Sequence, residues 1–223
     1  SLSYPFNWDP SGRVGAFGWL RLTLDCCISV CMDRAILSSH CSFHSQIRED
    51  SLKMYVLGII GWSGVGKTTL IEGVVRALVV DGFDVATIKH AHQRFDIDRE
   101  GKDSFRHRSA GARQVLVSSP NRWALMTELR NEPELTLEDS LALLGPTDIV
   151  LVEGYKGGVI EKIEVWREAH GGKPLWPEDD KIIAVASDDS KLTASAPLSL
   201  PLSDPVTVAR FIQNRIKEQP WRN

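Results

Sequence analysis

Continuous apolar runs alternate with helically spaced apolar positions along most of this chain. Tyr55–Ile60 (YVLGII) has no polar interruption, as a strand buried on both faces of a parallel sheet requires. From Thr68 to Val80, Leu70, Ile71, Val74, Val75, Leu78 and Val79 recur at helical spacing, and Asp81-Gly82 supplies a stop. Asp84–Lys89 (DVATIK) predicts a second strand. A polar, irregular stretch then leads to a short basic helix over Asp103–Ala110, with Asp103 or Ser104 as its cap. Arg113–Ser118 and Trp123–Glu128 predict two strands around Pro120-Asn121. Thr136–Leu144 predicts a helix, with Thr136 and Asp139 at capping-box spacing. Ile149–Val152 (IVLV) predicts another buried strand. Ile160–Arg167 (IEKIEVWR) alternates as an edge strand does. Ile182–Ala186 is the last central strand expected. Pro197, Pro201 and Pro205 read as punctuation of a short linker. The final helix is marked by Asp204 as N-cap and Pro205 at its first position, and runs from Val206 to Ile216. Interleaved strands and helices imply an α/β layered fold with a mostly parallel sheet and no internal repeat.

Residues 1–53 differ. They show no sustained period, and they hold all four cysteines, Cys26, Cys27, Cys31 and Cys41. Arg13 is the only early base, and Arg21 and Asp25 break the stretch from Phe17 to Met32, so a secretory signal is not expected. Cys27, Cys31, His40, Cys41 and His44 are zinc-ligand types, but their spacing matches no common finger pattern. Met54 stands directly before the first clear strand. The expectation is therefore a disordered or non-native extension over 1–53, with translation beginning at Met54, and one domain over 54–223.

Composition narrows the function. The 223 residues are 43% hydrophobic and 25% charged, ordinary for a soluble globular chain that folds without disulfide or metal staples. With 26 basic and 29 acidic side chains the net charge is −3. That argues against a general nucleic-acid binder but leaves room for a local anion site. No apolar run approaches the roughly 18–20 residues of a membrane span, so no membrane partner is expected. The cysteine-free body fits a reducing cytoplasm, the expected location.

The first strand runs into Gly61-Trp62-Ser63-Gly64-Val65-Gly66-Lys67-Thr68, which fits G-x-x-x-x-G-K-[ST]. Glycines let consecutive N–H groups converge on phosphate oxygens, and the following helix points its positive end there. Gly61, Ser63, Gly64, Val65, Gly66, Lys67, Thr68 and Thr69 are thus candidate nucleotide-binding residues. Lys67 would reach the β- and γ-phosphates, and the Thr68 hydroxyl can ligate Mg²⁺. The fold expected is a P-loop NTPase-type three-layer domain, binding a nucleoside triphosphate of unspecified base. Glu153 ends the IVLV strand and is the candidate to hold Mg²⁺ or to orient a water; a strand-end carboxylate satisfied by solvent is the plainer reading. Asp148 opens the same strand at its far end and is the weaker ligand.

The segment from Lys89 to Ser104 leaves the second strand at the edge where ligands bind in open α/β sheets. Lys89, His90 and His92 can contact anionic groups, Asp96 and Asp98 can serve Mg²⁺, and Arg106, His107 and Arg108 add positive charge. A solvated charged loop is the alternative. The loop GWSGVGKTTL, the stretch KHAHQRFDIDREGKDSFRHRSAGA, and VEGYK followed by IEKIEVWR occur in order. Together they closely resemble the molybdopterin-guanine dinucleotide biosynthesis protein B family, from about Met54 to Arg222 and not over 1–53.

The resemblance implies a homodimeric GTP-binding accessory protein of molybdenum cofactor maturation with weak hydrolysis. It would assist the guanylyltransferase that joins GMP to molybdopterin, with molybdopterin as a handled ligand. By position, Gly64 to Thr69 would hold the phosphates, while the Asp96/Asp98 region and Glu153 would form the Mg²⁺ and switch-like part. Relatives often carry a third histidine where this chain has Gln93. GTPases usually read guanine through N-K-x-D, which is absent here. Asp188, in Ala186-Ser187-Asp188-Asp189 after the late strand, is the candidate for that task, with a turn-forming Asp as the alternative. GTP itself therefore rests on the resemblance.

Two other readings stay open. A P-loop kinase or ligase would use ATP and bind a small anionic metabolite at the basic cluster Arg106–Arg113. A docking module would bind phosphate without turnover. No catalytic Gln or arginine finger is placed by motif, although Arg94, Arg99 and Arg106 are candidates. Trp62, inside the loop, fits either a base or partner contact or simple packing.

Overall fold

The structure is a computed structural model that describes residues 54–91, 95, 97–189 and 196–219. The expectations for residues 1–53, including their zinc-ligand types, and those for His92, Gln93, Arg94 and Asp96 lie outside the described residues.

Six strands form one sheet: β1 (Tyr55–Ile60), β2 (Val85–Lys89), β5 (Ile149–Glu153), β6 (Glu161–Val165), β7 (Ile182–Ser187) and β8 (Leu198–Pro201). Their order is β2-β5-β1-β6-β7-β8, and every pairing is parallel. Two further strands, β3 (Gln114–Ser118) and β4 (Trp123–Thr127), make a separate antiparallel hairpin. The helices are α1 (Lys67–Val80), α2 (Asp103–Ser109), α3 (Leu137–Ala142) and α4 (Pro205–Lys217), with a 3₁₀ turn at Glu168–His170. No helix among the described residues is long and apolar enough to cross a membrane.

The α/β layering expected from the pattern is present. Leu70, Val74 and Leu78 of α1 and Val208, Ile212 and Ile216 of α4 pack on Leu57, Ile59, Leu151 and Ile163. This is the larger core. The opposite face carries two smaller clusters, one of Leu137 from α3 with Val150 and Val152, the other of Trp176 with Ile60, Ile182 and Val185. Of the caps read from the sequence, those of α3 and α4 form, whereas the residue before α2 is Lys102 with no side-chain cap, in place of the expected Asp103 or Ser104. Thr136 Oγ1 accepts the Asp139 N–H at 3.0 Å while Asp139 accepts the Thr136 N–H at 3.1 Å. The Asp204 carboxylate accepts the N–H groups of Val206 and Thr207 at 3.1 and 3.2 Å. At the other end of α4, Arg215 pairs with Glu161, which also accepts from the Tyr55 hydroxyl at 2.5 Å. Burial, with Glu161 beside it, pushes the Tyr55 hydroxyl well above the ordinary phenol range.

Two expectations need correction. Ile160–Arg167 alternates like an edge strand, yet β6 is interior, between β1 and β7. Its polar positions, Lys162 and Glu164, are buried. They are satisfied by the segment that covers them: Lys162 Nζ donates to Asp179 at 2.8 Å, and Glu164 accepts the N–H groups of Leu175 and Trp176 at about 3.0 Å. Alternation is therefore produced by a polar lid over one face and not by solvent. Gly58 in β1 makes room for this, since a Cβ there would meet Lys162 Cγ at 3.1 Å. Burial still pushes the Glu164 carboxyl above its ordinary value, against the N–H bonds that lower it. The second correction concerns the supposed linker. Leu198–Pro201 is β8, an edge strand where proline costs no ladder bond on the solvent side.

The buried ion pair supplies a test. Asp179→Ala leaves the Lys162 ammonium buried without its acceptor, and urea denaturation is expected to show a loss of about 3 kcal/mol. An unchanged midpoint would show that Lys162 finds another partner.

Candidate functional site

All six strands of the main sheet point the same way, so their C-terminal ends share one edge. The phosphate-type loop leaves β1 there and enters α1. Gly61 has φ +143°, and a Cβ on it would lie 2.4 Å from the Val165 carbonyl oxygen of β6, so only glycine fits. Gly66, with φ +105°, turns the chain into the first residue of α1. The amides of the loop and the helix start thereby face a common point.

That point is an open cavity of about 670 Å³. Its walls include Lys67, Thr68, Lys89, His90 and Glu153, with Ser63, Gly64 and Gly66 from the loop and Thr69 from the start of α1. The structure thus brings together most residues singled out from the sequence. The register explains how. Ile59 of β1 is opposite Glu153 of β5, and Glu153 is opposite Lys89 of β2. Thr68 Oγ1 donates to Glu153 at 3.2 Å, and Lys89 Nζ stands 3.6 Å from the same carboxylate. Lys67 Nζ donates to the carbonyls of Gly61 and Trp62 at 3.2 and 2.7 Å. Burial lowers the Lys67 pKa below its usual value; Glu153 opposes this, and Lys156 and Lys89 add to it. His90 Nε2 lies 2.8 Å from Glu134, and its ring packs 4.6 Å from that of Tyr155.

Other candidates are placed elsewhere. Asp98 does not reach the cavity. Its side chain is 4% exposed and accepts from Ser104 Oγ at 2.7 Å and Arg108 Nε at 3.2 Å, so it pins α2. Arg108 also pairs with Glu128, and Arg113 with Glu132. Among the described residues no three His, Cys, Asp or Glu side chains gather as a metal-binding group. Val65 is buried behind the loop. Asp188 follows β7 and accepts the Ser203 N–H at 2.8 Å. Trp62 is half exposed; its Nε1 donates to the Lys173 carbonyl at 2.8 Å and Lys156 Nζ lies 4.2 Å above its ring.

Sequence reading missed three groups here: Glu134 against His90, Lys156 near the loop, and Arg167, whose Nε donates to the Val65 carbonyl at 3.2 Å. For Arg167 the signal was its place just beyond β6. A strand at the edge of the sheet would have sent it away from the loop, whereas an interior strand delivers it there.

Comparison with known proteins gives concordant results. The family model described as molybdopterin guanine dinucleotide synthesis protein B matches residues 56–188. The chain is 43% identical over 136 residues to the molybdopterin-guanine dinucleotide biosynthesis adapter protein of Escherichia coli, covering 60% of this chain and 78% of that one. It is 41% identical over 133 residues to the protein of the same description from Haemophilus influenzae, covering 60% and 74%. Among solved structures, a MobB protein homolog from Bacillus stearothermophilus superposes with a TM-score of 0.56 at 27% identity, over 74% of this chain and all of that one.

The loop's dependence on Gly61 is directly measurable. Gly61→Ala forces both a clash and a strained φ, and is expected to destabilise the protein by about 2 kcal/mol or more in thermal denaturation. A wild-type midpoint would contradict the close approach to Val165.

Proposed function

The chain belongs to the molybdopterin guanine dinucleotide synthesis protein B family, and from that membership we propose that it serves molybdenum cofactor maturation as a GTP-binding adapter with slow hydrolysis. The observation that carries the nucleotide part is the meeting of Lys67, Thr68, Lys89 and Glu153 in one cavity at the mouth of the loop. A triphosphate would lie on the loop amides, with Lys67 and Lys89 neutralising its terminal charge. The adjacent Thr68 hydroxyl and Glu153 carboxylate are hard oxygen donors suited to Mg²⁺, which takes few protein ligands and completes its shell with phosphate and water. Lys67 and Glu153 are then the groups closest to any hydrolysis. Asp188 is the residue assigned to guanine. The partner is the guanylyltransferase that attaches GMP to molybdopterin, and molybdopterin is the ligand handled by the pair. The ATP-dependent kinase reading draws less support, because Arg108 and Arg113 of its acceptor cluster pair with Glu128 and Glu132.

The assembly proposed is a homodimer through the β3–β4 hairpin. Leu116 and Leu125 face each other in register and are 63% and 48% exposed, and Trp123 beside them is 70% exposed. A lone two-stranded hairpin is marginal in water. A second copy of the same apolar face, related by a two-fold axis, is a self-complementary cover.

Calorimetry on the full chain tests the nucleotide reading. GTP with Mg²⁺ is expected to bind more tightly than ATP, and Lys67→Ala to weaken it about 100-fold, ~2.7 kcal/mol. A preference for ATP would reverse the assignment in favour of a kinase. For the dimer, sedimentation should show two subunits for the wild type and one for Leu116→Asp; a monomeric wild type discards it.

A further inference from the structure

Arg167 joins the phosphate loop to the end of the sheet where a base would be read. Its Nε–H donates to the Val65 carbonyl within the loop at 3.2 Å. Its Nη2 lies 3.8 Å from Asp188 Oδ2, and about 4.0 Å from where a Cβ on Gly66 would stand. The side chain is nevertheless 47% exposed, so it is not a core group. The surrounding backbone joins the same junction. Asp188 Oδ1 accepts the Ser203 N–H at 2.8 Å. Glu168 donates its N–H to Asp189 at 2.7 Å, and Asp189 donates its own to Ser187 Oγ at 3.1 Å. The loops that follow β1, β6, β7 and β8 are thereby tied at one place.

The chemistry suits an arginine. A guanidinium is planar, permanently charged and presents its donors in a fixed fork, so one group can hold a carbonyl and face a carboxylate at once. A carboxylate that discriminates purines must be held in one orientation, because the N1–H and exocyclic 2-amino donors of guanine lie in a plane and adenine offers neither there. Asp188 is restrained by the Ser203 amide on one oxygen and by Arg167 beside the other.

We propose that Arg167 is the positioning residue that sets base selectivity: it orients Asp188 and locks it to the phosphate loop through Val65. The inference rests on the reading of Asp188 as the guanine contact. It extends that reading by naming what makes an exposed Asp, outside any N-K-x-D motif, selective.

The test is calorimetry on the full chain with GTP, ATP and inorganic tripolyphosphate, each with Mg²⁺. Arg167→Ala is expected to reduce the GTP-over-ATP preference about fivefold, the upper scale of a solvent-exposed ion pair, while tripolyphosphate affinity falls by much less. Arg167→Lys keeps the charge but not the fork and should fall between. Asp188→Asn should abolish the preference, and adding Arg167→Ala to it should lower the preference no further, since Arg167 acts through Asp188. Equal weakening of all three ligands by Arg167→Ala, with Asp188→Asn still abolishing the preference, overturns the proposal and leaves the guanine assignment standing. An unchanged preference in Asp188→Asn removes the guanine assignment and the proposal together. Should Arg167→Ala not fold, Arg167→Lys decides: a reduced preference supports the role, and an unchanged one overturns it.

Discussion

The parallel register of β1, β5 and β2 is the constraint on which the site depends. Ile59, Glu153 and Lys89 occupy equivalent rungs, so the last residues of β5 and β2 emerge beside the loop that begins at Gly61. A slip of one residue in β5 would turn Glu153 to the other face and put Val152 in its place. The ends of the buried run Ile149–Val152 oppose that slip, because it would draw Asp148 or Glu153 into a rung packed on both faces. Hydrophobic burial deep in the sheet therefore sets the placement of a carboxylate at its rim.

The rim is electrically prepared for a polyanion. Lys67, Lys89 and Lys156 are close enough that the last two depress the first, and Glu153 is the counter-charge at the centre. Like charges gathered in a cavity raise the cost of ionisation, and that cost is relieved when negative charge enters. Loop amides and the start of α1 add fixed partial charge that needs no reorganisation. The arrangement favours phosphate in general, and the proposed choice of base falls to the neighbouring strand ends.

Those neighbouring ends are governed by β6. Its Lys162 and Glu164 divide the second face of the sheet into two apolar clusters and require a polar cover, which the segment from Leu175 to Asp179 provides. Because β6 is interior, Gly61 lies tight against Val165, and Arg167 emerges directly beneath the loop. One strand thus supplies the wall that demands a glycine and the arginine that reaches Val65.

The sequence by itself determined the α/β order, the capped starts of α3 and α4, the phosphate-type loop and the candidacy of Glu153, Lys89 and His90, which the fold gathers at one cavity. Each is written in local periodicity or in short motifs whose chemistry demands those residue types. Other features were decided only by tertiary structure, because they depend on which strands become neighbours. Alternation in β6 looks the same whether solvent or a polar lid covers its charged side chains. Leu198–Pro201 is too short and proline-bounded to show as a strand until β7 offers it an edge. Asp98 has the composition of a metal ligand, but Arg108, one helical segment later, claims its carboxylate. Arg167 closes the IEKIEVWR block, but nothing in that block states its contact; its 102-residue separation from Val65 is closed only by the sheet.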